Sequence, residues 1–529
     1  MTLHRRLFLK HLGLGAAGLG LVSAWPERSA AEEAAAGQLP RGTPEEQGVS
    51  SAGILAFLEA IGKSRHEFHS FMLVRNGRVI AEGWWPPYRA SANHTLYSLS
   101  KSFTSTAVGF AVTEGKLNVN DPVTSFFPDD LPAKISGNLA ALRVKHLLTM
   151  SVGHAGDSTP TIGREKNWVK AFLALPIVKP PGSAFLYNSG ATYMLSAIVQ
   201  RVSGRKVIDY LRPRLFEPLG IDGMTWETCP RGINTGGWGL SAQTGSLAKF
   251  GQFYLQKGVW NGRQILPATW IDEATSFKIQ QPAPGTDLEK ARLTNDWLQG
   301  YCYQFWRCRH HAFRGDGAFG QFTIVMPEQK AVVAITCETG DMQGELNLVW
   351  DFLLPAMTDQ PLPADNLSRD RLRQKLAALA LPWPDGKADS PLAAKISGKI
   401  FKTEANPSGA QSISFRFQGG ACAFTLNDAQ GEYAIQCGLG KWVEGVSNMP
   451  GTPPKITVGD LRPCKVAAGG AWRDENTLEL VWRFYETPHS INVTCRFDGD
   501  KVKVEFLNSI TKISAPHPSP NLVLQGVAI

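Results

Sequence analysis

The sequence predicts an α+β fold in two parts: an antiparallel sheet carrying a long helical insert, then a separate antiparallel β-domain. Three observations carry this reading. "FMLVRNGRVIAEGWW" (71–85) gives two strands meeting at Asn76-Gly77, a tight hairpin signal, and "GQFTIVMPEQKAVVAITCET" (320–339) gives two more strands around a proline-containing turn. Between them the apolar residues recur with helical period. Beyond about residue 392 the period becomes two: Ile413, Phe415 and Phe417; Leu478, Leu480, Trp482 and Phe484; Ile491, Val493, Cys495 and Phe497; then Val502, Val504 and Phe506. Repeated short strands of this kind predict a barrel or sandwich.

In chain order, residues 1–31 have the form of an export signal. A basic start with Arg5 and Arg6 precedes a short Gly/Ala/Leu run from Leu12 to Ala24, and Ser29 and Ala31 permit cleavage. Arg5-Arg6 before "LFLK" resembles a twin-arginine signal, which implies a periplasmic or secreted protein. The run is too short and glycine-rich to anchor stably in a membrane. Residues 32–45 form a linker, and 46–360 the domain with the helical insert. Within it "SKSFTSTAVGFAVTEGKL" is a helix ending near Gly115. "ATYMLSAIVQRVSG" is a second, stopping at Ser203-Gly204, and "SLAKFGQFYLQKG" a third, capped by Ser246. Proline clusters flanking a short charged helix at 367–380 mark a linker over 361–391, and 392–529 is the β-domain.

The formal net charge is +8, but Arg5, Arg6, Lys10 and Arg28 belong to the export segment, and no dense Lys/Arg run follows. Nucleic acid is therefore not an expected partner. Eight cysteines in 529 residues are too sparse for a disulfide scaffold. Export permits one or two bridges, the rest being small buried hydrophobes, and no Cys/His spacing suggests a metal. No metal, nucleotide or other cofactor is expected.

Chemistry concentrates in three stretches. S-x-x-K occurs three times, at Ser98–Lys101, Ser203–Lys206 and Ser246–Lys249. The second lies at a helix stop and the third at a helix start, where serine has ordinary capping roles. Ser98 stands apart because an extended "TLY" leads into it and a helix begins beside it. Residues three apart share a helix face, so the Lys101 amine can reach the Ser98 hydroxyl. A desolvated, neutral lysine there can accept the serine proton. Tyr187, in "GSAFLYNSGATYML", lies where a polar turn enters an apolar helix. "FRGDGAFGQFTIV" sets three glycines before a strand, which lets backbone approach a ligand and present N–H groups to an oxyanion.

This order of motifs (S-x-x-K, "LLTMSVGH" at 147–154, Tyr-Asn-Ser, a glycine-rich strand start) resembles the serine β-lactamase and D,D-peptidase superfamily, in its class C-related branch of esterases, amidases and peptidases. The resemblance spans roughly residues 42–358. It implies the β-lactamase/D,D-peptidase sandwich for that part, while the alternation beyond it leaves a barrel- or lipocalin-like β-domain as the expectation for 392–529. It implies Ser98 as acylated nucleophile, Lys101 and Tyr187 as its proton-transfer pair, with Tyr187 activating water for deacylation, and the backbone N–H groups of Ser98 and Ala318 as oxyanion hole. Asn188, Ser189, Gly315, Asp316 and Gly317 then bind substrate. No G-x-S-x-G elbow occurs, against an α/β-hydrolase.

The chain departs from the β-lactamase pattern in two places. Tyr187-Asn188-Ser189 replaces Tyr-x-Asn, and Gly315-Asp316-Gly317 stands where a cation binds the β-lactam carboxylate. An anion there repels that carboxylate unless Arg314 points inward and offsets it. The expected activity is hydrolysis of a small ester or amide. The alternatives are a D,D-peptidase, a D-aminopeptidase or a weak β-lactamase; an inactive penicillin-binding scaffold serving as a binding protein; or a barrel that holds an apolar ligand. The sequence leaves the oligomeric state open.

Overall fold

The computed structural model describes residues 37–453, 463–513 and 521–529. The expected export signal at 1–31 lies outside the described residues. The N-terminal part is built on a six-stranded antiparallel sheet. Its strands are β1 (Glu67–Arg75), β2 (Arg78–Trp84), β3 (Trp306–Arg307), β4 (Phe313–Gly317), β5 (Gln321–Met326) and β6 (Ala331–Glu338), in the order β2-β1-β6-β5-β4-β3. Alternation along the strands sorts side chains between two cores. Phe71 and Leu73 of β1 and Val333 and Ile335 of β6 join one core with Ile54, Phe57 and Leu58 of helix α1 (Ser51–Lys63). Met72, Val74, Val332 and Ala334 face the other core, which holds the helical insert.

The insert contributes three helices that frame the cleft: α2 (Ser100–Thr113), α3 (Ser189–Ser203) and α4 (Thr244–Leu255). The three expected helices are all present. Helix α4 differs at its start: Gln243 is the N-cap and makes no capping bond, so Ser246 lies inside the helix and is buried. At Gly251 of α4 a Cβ would stand 2.5 Å from a methyl of Val332, so glycine lets the helix lie close on the sheet. The linker carries helix α5 (Asn366–Ala377).

The C-terminal part comprises β7 (Ile400–Thr403), β8 (Ser412–Gln418), β9 (Ala421–Asp428), β10 (Gly431–Leu439), β11 (Val443–Ser447), β12 (Cys464–Trp472), β13 (Thr477–Arg483), β14 (Ser490–Asp498), β15 (Lys501–Asn508) and β16 (Leu522–Ala528). Nine of these close into a barrel, β10-β9-β8-β7-β16-β15-β14-β13-β12, sealed by a parallel pairing of Gly438 with Gly469 and Leu439 with Gly470; β11 adds to β12 outside the ring. Phe401, Phe415, Phe424, Phe497, Trp472 and Trp482 fill its interior, and a cavity of about 260 Å³ beside Trp482 and Phe506 remains at one end. The predicted α+β fold and the separate barrel are thus both observed.

All eight cysteines are buried and none is in a disulfide, so the bridge that export permits is not formed. Among the described residues no helix is long and apolar enough to cross a membrane, and no group of three or more His, Cys, Asp or Glu side chains could hold a metal ion. The barrel docks against the sheet through polar contacts. Arg483 meets Glu67 at 2.5 Å, the Tyr88 hydroxyl donates to the Thr487 carbonyl at 3.1 Å, and Thr95 N–H donates to the Glu486 carbonyl at 2.9 Å.

Candidate active site

Ser98 sits in a single 3-10 turn, Tyr97–Leu99, that runs directly into α2. The helix end favours negative charge at this point. The turn is tight: Tyr97 has φ +48°, a left-handed conformation that a large side chain adopts only when its surroundings hold it there. The turn is anchored by the Ser100 hydroxyl, which donates to the Tyr97 carbonyl at 2.6 Å and accepts from Leu240 N–H at 3.1 Å.

Lys101 is 1% exposed. Its Nζ lies 2.9 Å from Ser98 Oγ, 3.0 Å from Ser189 Oγ and 2.6 Å from the Gly237 carbonyl. Burial pushes the amine down to about 7, against the pull of Asp157 and Asp316. A neutral amine has two N–H bonds and one lone pair. The Gly237 carbonyl can only accept, and with Ser189 Oγ taking the second hydrogen the lone pair is left for the Ser98 proton. Gly237 was not singled out in the sequence. The signal for it was the glycine density of "NTGGWG", where a Cβ on Gly237 would come within 2.8 Å of the Ser189 carbonyl.

Tyr187 stacks on Trp306 with ring centres 5.7 Å apart, and its ring face lies 4.8 Å from Lys101 Nζ. Burial raises its phenol well above the ordinary range and Asp316 raises it further, against a hydrogen bond with Ser98. The group is therefore a protonated phenol, able to pass a proton between Ser98 and its surroundings rather than stand as a free phenolate.

The two residues after Tyr187 part ways. Ser189 turns its hydroxyl to Lys101. Asn188 is buried and turned away: its Oδ1 accepts from Ser158 Oγ at 2.7 Å and from Gly190 N–H at 3.1 Å as the N-cap of α3, and its Nδ2 is 3.1 Å from His154 Nδ1. The structure therefore does not bring Asn188 to the cleft with Ser98, because helix capping occupies its amide. Asp157, which no motif in the sequence marks, is exposed at the rim; its Oδ1 accepts from Ser189 N–H at 3.0 Å and from Thr159 Oγ1 at 2.8 Å.

Strand β4 lies along the Ser98 turn, and its glycines are the reason it fits. A Cβ on Gly315 would stand 3.0 Å from Ser102 Oγ, and one on Gly317 only 2.0 Å from the Leu96 carbonyl. This approach sets Ala318 at the end of β4 beside the turn that carries Ser98. Gly317→Ala is expected to push β4 off the turn, lowering kcat at least tenfold and the melting temperature too, as overpacking of about 1–3 kcal/mol does. Gly137→Ala, where a Cβ meets nothing within 4 Å, is the control and should change neither.

Asp316 and Arg314 lie two apart on β4 and so share one face. Arg314 Nε and Nη2 both reach Asp316 Oδ2 at 2.9 Å. The guanidinium is fully buried, stacked 4.3 Å over Trp297, and Nη1 donates to the Asp296 carbonyl at 3.1 Å. Burial pushes the Asp316 carboxyl up against the pull of Arg314. The third motif is thus a closed, locally neutral pair: Asp316 is not a bare anion, and Arg314 is not a free cation. The other two S-x-x-K pairs are structural. Ser203 Oγ donates to the Val199 carbonyl at 2.6 Å, and Lys249 Nζ to the Gly220 carbonyl at 2.5 Å.

A half-buried serine, a buried lysine and a half-buried tyrosine thus meet around one point. The family described as Beta-lactamase matches residues 69–357, more than half of the chain, and the chain belongs to that family. The 6-aminohexanoate-dimer hydrolase of Paenarthrobacter ureafaciens is 25% identical over 284 residues, covering 50% of this chain and 71% of that protein. A beta-lactamase of Escherichia coli (strain K12) is 27% identical over 143 residues, 26% of this chain and 35% of the other. Among solved structures, a penicillin-binding protein homologue from Pyrococcus abyssi aligns over 90% of this chain and 99% of its own at 16% identity and TM-score 0.45.

Proposed function

We propose that this β-lactamase-family serine hydrolase is exported and cleaves a small ester or amide through an acyl-enzyme on Ser98. The observation that carries the reading is the 2.9 Å contact between Ser98 Oγ and a Lys101 amine buried to near neutrality. Lys101 takes the Ser98 proton as Oγ attacks the substrate carbonyl. The N–H groups of Ser98 and Ala318 receive the oxyanion. Tyr187 passes the proton from Lys101 to the leaving group, and the reverse relay activates water on the acyl-enzyme. Ser189 and the β4 backbone at Gly315–Gly317 flank the substrate.

The charges favour substrates without a carboxylate at the third-motif position. Arg314 is spent on Asp316, Lys101 is near neutral, and Asp157 adds an anion at the rim. A charge-assisted hydrogen bond from a cation is worth about 1.5–3 kcal/mol, and its absence costs one to two orders of magnitude at about 1.4 kcal/mol per tenfold. In a screen of p-nitrophenyl butyrate, D-amino-acid amides and nitrocefin, kcat/KM for the ester is expected to exceed that for nitrocefin by about a hundredfold. Nitrocefin turnover at the ester's rate would overturn the charge argument, and preference for a D-amino-acid amide would favour the D-aminopeptidase reading. Failure of a fluorophosphonate to label the wild-type protein would favour an inactive scaffold.

A further inference from the structure

The site proposed above needs two backbone N–H groups held in place, at Ser98 and Ala318, and the residue next to each has a strained backbone. Tyr97, before Ser98, has φ +48°, and Phe319, after Ala318, has φ +68°. Neither is glycine, so something outside the two turns must hold them. One side chain touches both. The His489 ring packs edge-on against Phe319 with centres 4.9 Å apart and against Tyr97 at 5.8 Å, while Tyr97 and Phe319 meet at 5.2 Å. His489 belongs to the barrel, in the turn between β13 and β14.

The ring is fixed at both nitrogens. Its Nδ1 lies 2.7 Å from Glu338 Oε1, which also accepts from the Ser509 hydroxyl at 2.6 Å. The carboxylate can only accept, so Nδ1–H donates to it, which leaves Nε2 to accept from the Tyr97 hydroxyl. Glu338 at the end of β6 stands directly opposite Glu67 on β1. Like charges in that position repel, and each carboxylate is met by a barrel residue, Glu67 by Arg483 and Glu338 by His489. The two acids form a docking pair for the barrel, and one of the barrel's two answering groups reaches the nucleophile turn.

We infer that His489 is a positioning residue for the oxyanion hole, through which the C-terminal barrel holds the Ser98 and Ala318 N–H groups in their working geometry. The inference rests on the Ser98 acyl-enzyme reading. Such bracing acts on the transition state and leaves ground-state binding alone, so its loss lowers kcat and not the affinity for substrate.

The test uses the full chain and three variants. Tyr97→Phe keeps the ring packing and removes only the hydroxyl; His489→Ala removes the wedge; His489→Gln keeps a polar group near Tyr97. Expected are kcat losses of about tenfold for Tyr97→Phe and a hundredfold or more for His489→Ala, with KM within about twofold and partial recovery in His489→Gln. The inhibition constant of a phenylboronic acid, which places an anionic tetrahedral centre in the hole, should rise in step with the loss of kcat. Thermal melts report folding, and if His489→Ala does not fold, Tyr97→Phe decides alone. Folded variants with unchanged kcat and boronate affinity overturn the bracing, as does a rise in KM alone. Wild-type protein that takes no fluorophosphonate on Ser98 overturns the acyl-enzyme reading instead, so the two failures are distinguishable.

Discussion

Ser98→Ala is expected to abolish turnover and fluorophosphonate labelling while leaving the fold intact. Of the three S-x-x-K serines, Ser98 is the one proposed to form the acyl bond, since the Ser203 and Ser246 pairs are not assembled around a second lysine and tyrosine. Ser203 is bonded back onto its own helix, and Lys249, the partner of Ser246, is bonded to Gly220. Removing the nucleophile of a triad-type centre costs on the order of 10⁶ in kcat, below detection for a p-nitrophenyl ester over its background hydrolysis. The change removes a half-buried hydroxyl from a turn whose main anchors are Ser100 and Leu240, so the melting temperature should move little. Mass spectrometry should find the adduct of the wild-type protein on the peptide containing Ser98. An adduct on Ser203 or Ser246 contradicts the assignment.

The parts of this centre that were legible in the sequence are those set by local periodicity. Ser98 and Lys101 meet because three residues make most of a helical turn, and Gly315 and Gly317 reveal close backbone approach by lacking a Cβ. The barrel strands showed themselves through alternation at Ile491, Val493, Cys495 and Phe497. The ring closure did not, because the pairing of Gly438 with Gly469 joins two glycines that carry no pattern. Asn188 lies next to Tyr187, where the resemblance to Tyr-x-Asn implies a substrate ligand. Its commitment to Ser158 and His154, about thirty residues earlier, is a tertiary fact. Arg314 and Asp316 share a face by strand alternation, yet the stacking of Arg314 on Trp297 decides that it serves Asp316 and no ligand. His489 lies 392 residues from Tyr97, and nothing in "ETPHSIN" announces the contact. The rule is that chemistry held by one helix or strand is readable, and chemistry held across elements is not.

The proton path gives the second large effect. Lys101→Ala and Tyr187→Phe should each lower kcat by at least about a hundredfold, the scale of losing general acid–base help. Because both groups serve one proton moving through Ser98, the double variant should lose far less than the product of the single losses. The pH profile separates their roles. In the proposed mechanism Lys101 acts as its free amine, and burial pushes its pKa down to about 7, below the lysine range. As pH rises through 7 the basic form accumulates, so kcat/KM should climb about tenfold per pH unit below 7 and level off above it. Tyr187 acts as the protonated phenol, and burial raises its pKa, so it stays in the active form throughout that range and adds no alkaline limb near neutrality. Tyr187→Phe should therefore keep the wild-type inflection while lowering the plateau, whereas Lys101→Ala should lose the inflection. A wild-type profile that falls with rising pH through 7, or independent multiplicative losses in the double variant, would mean that Lys101 works as a cation and Tyr187 only packs against Trp306.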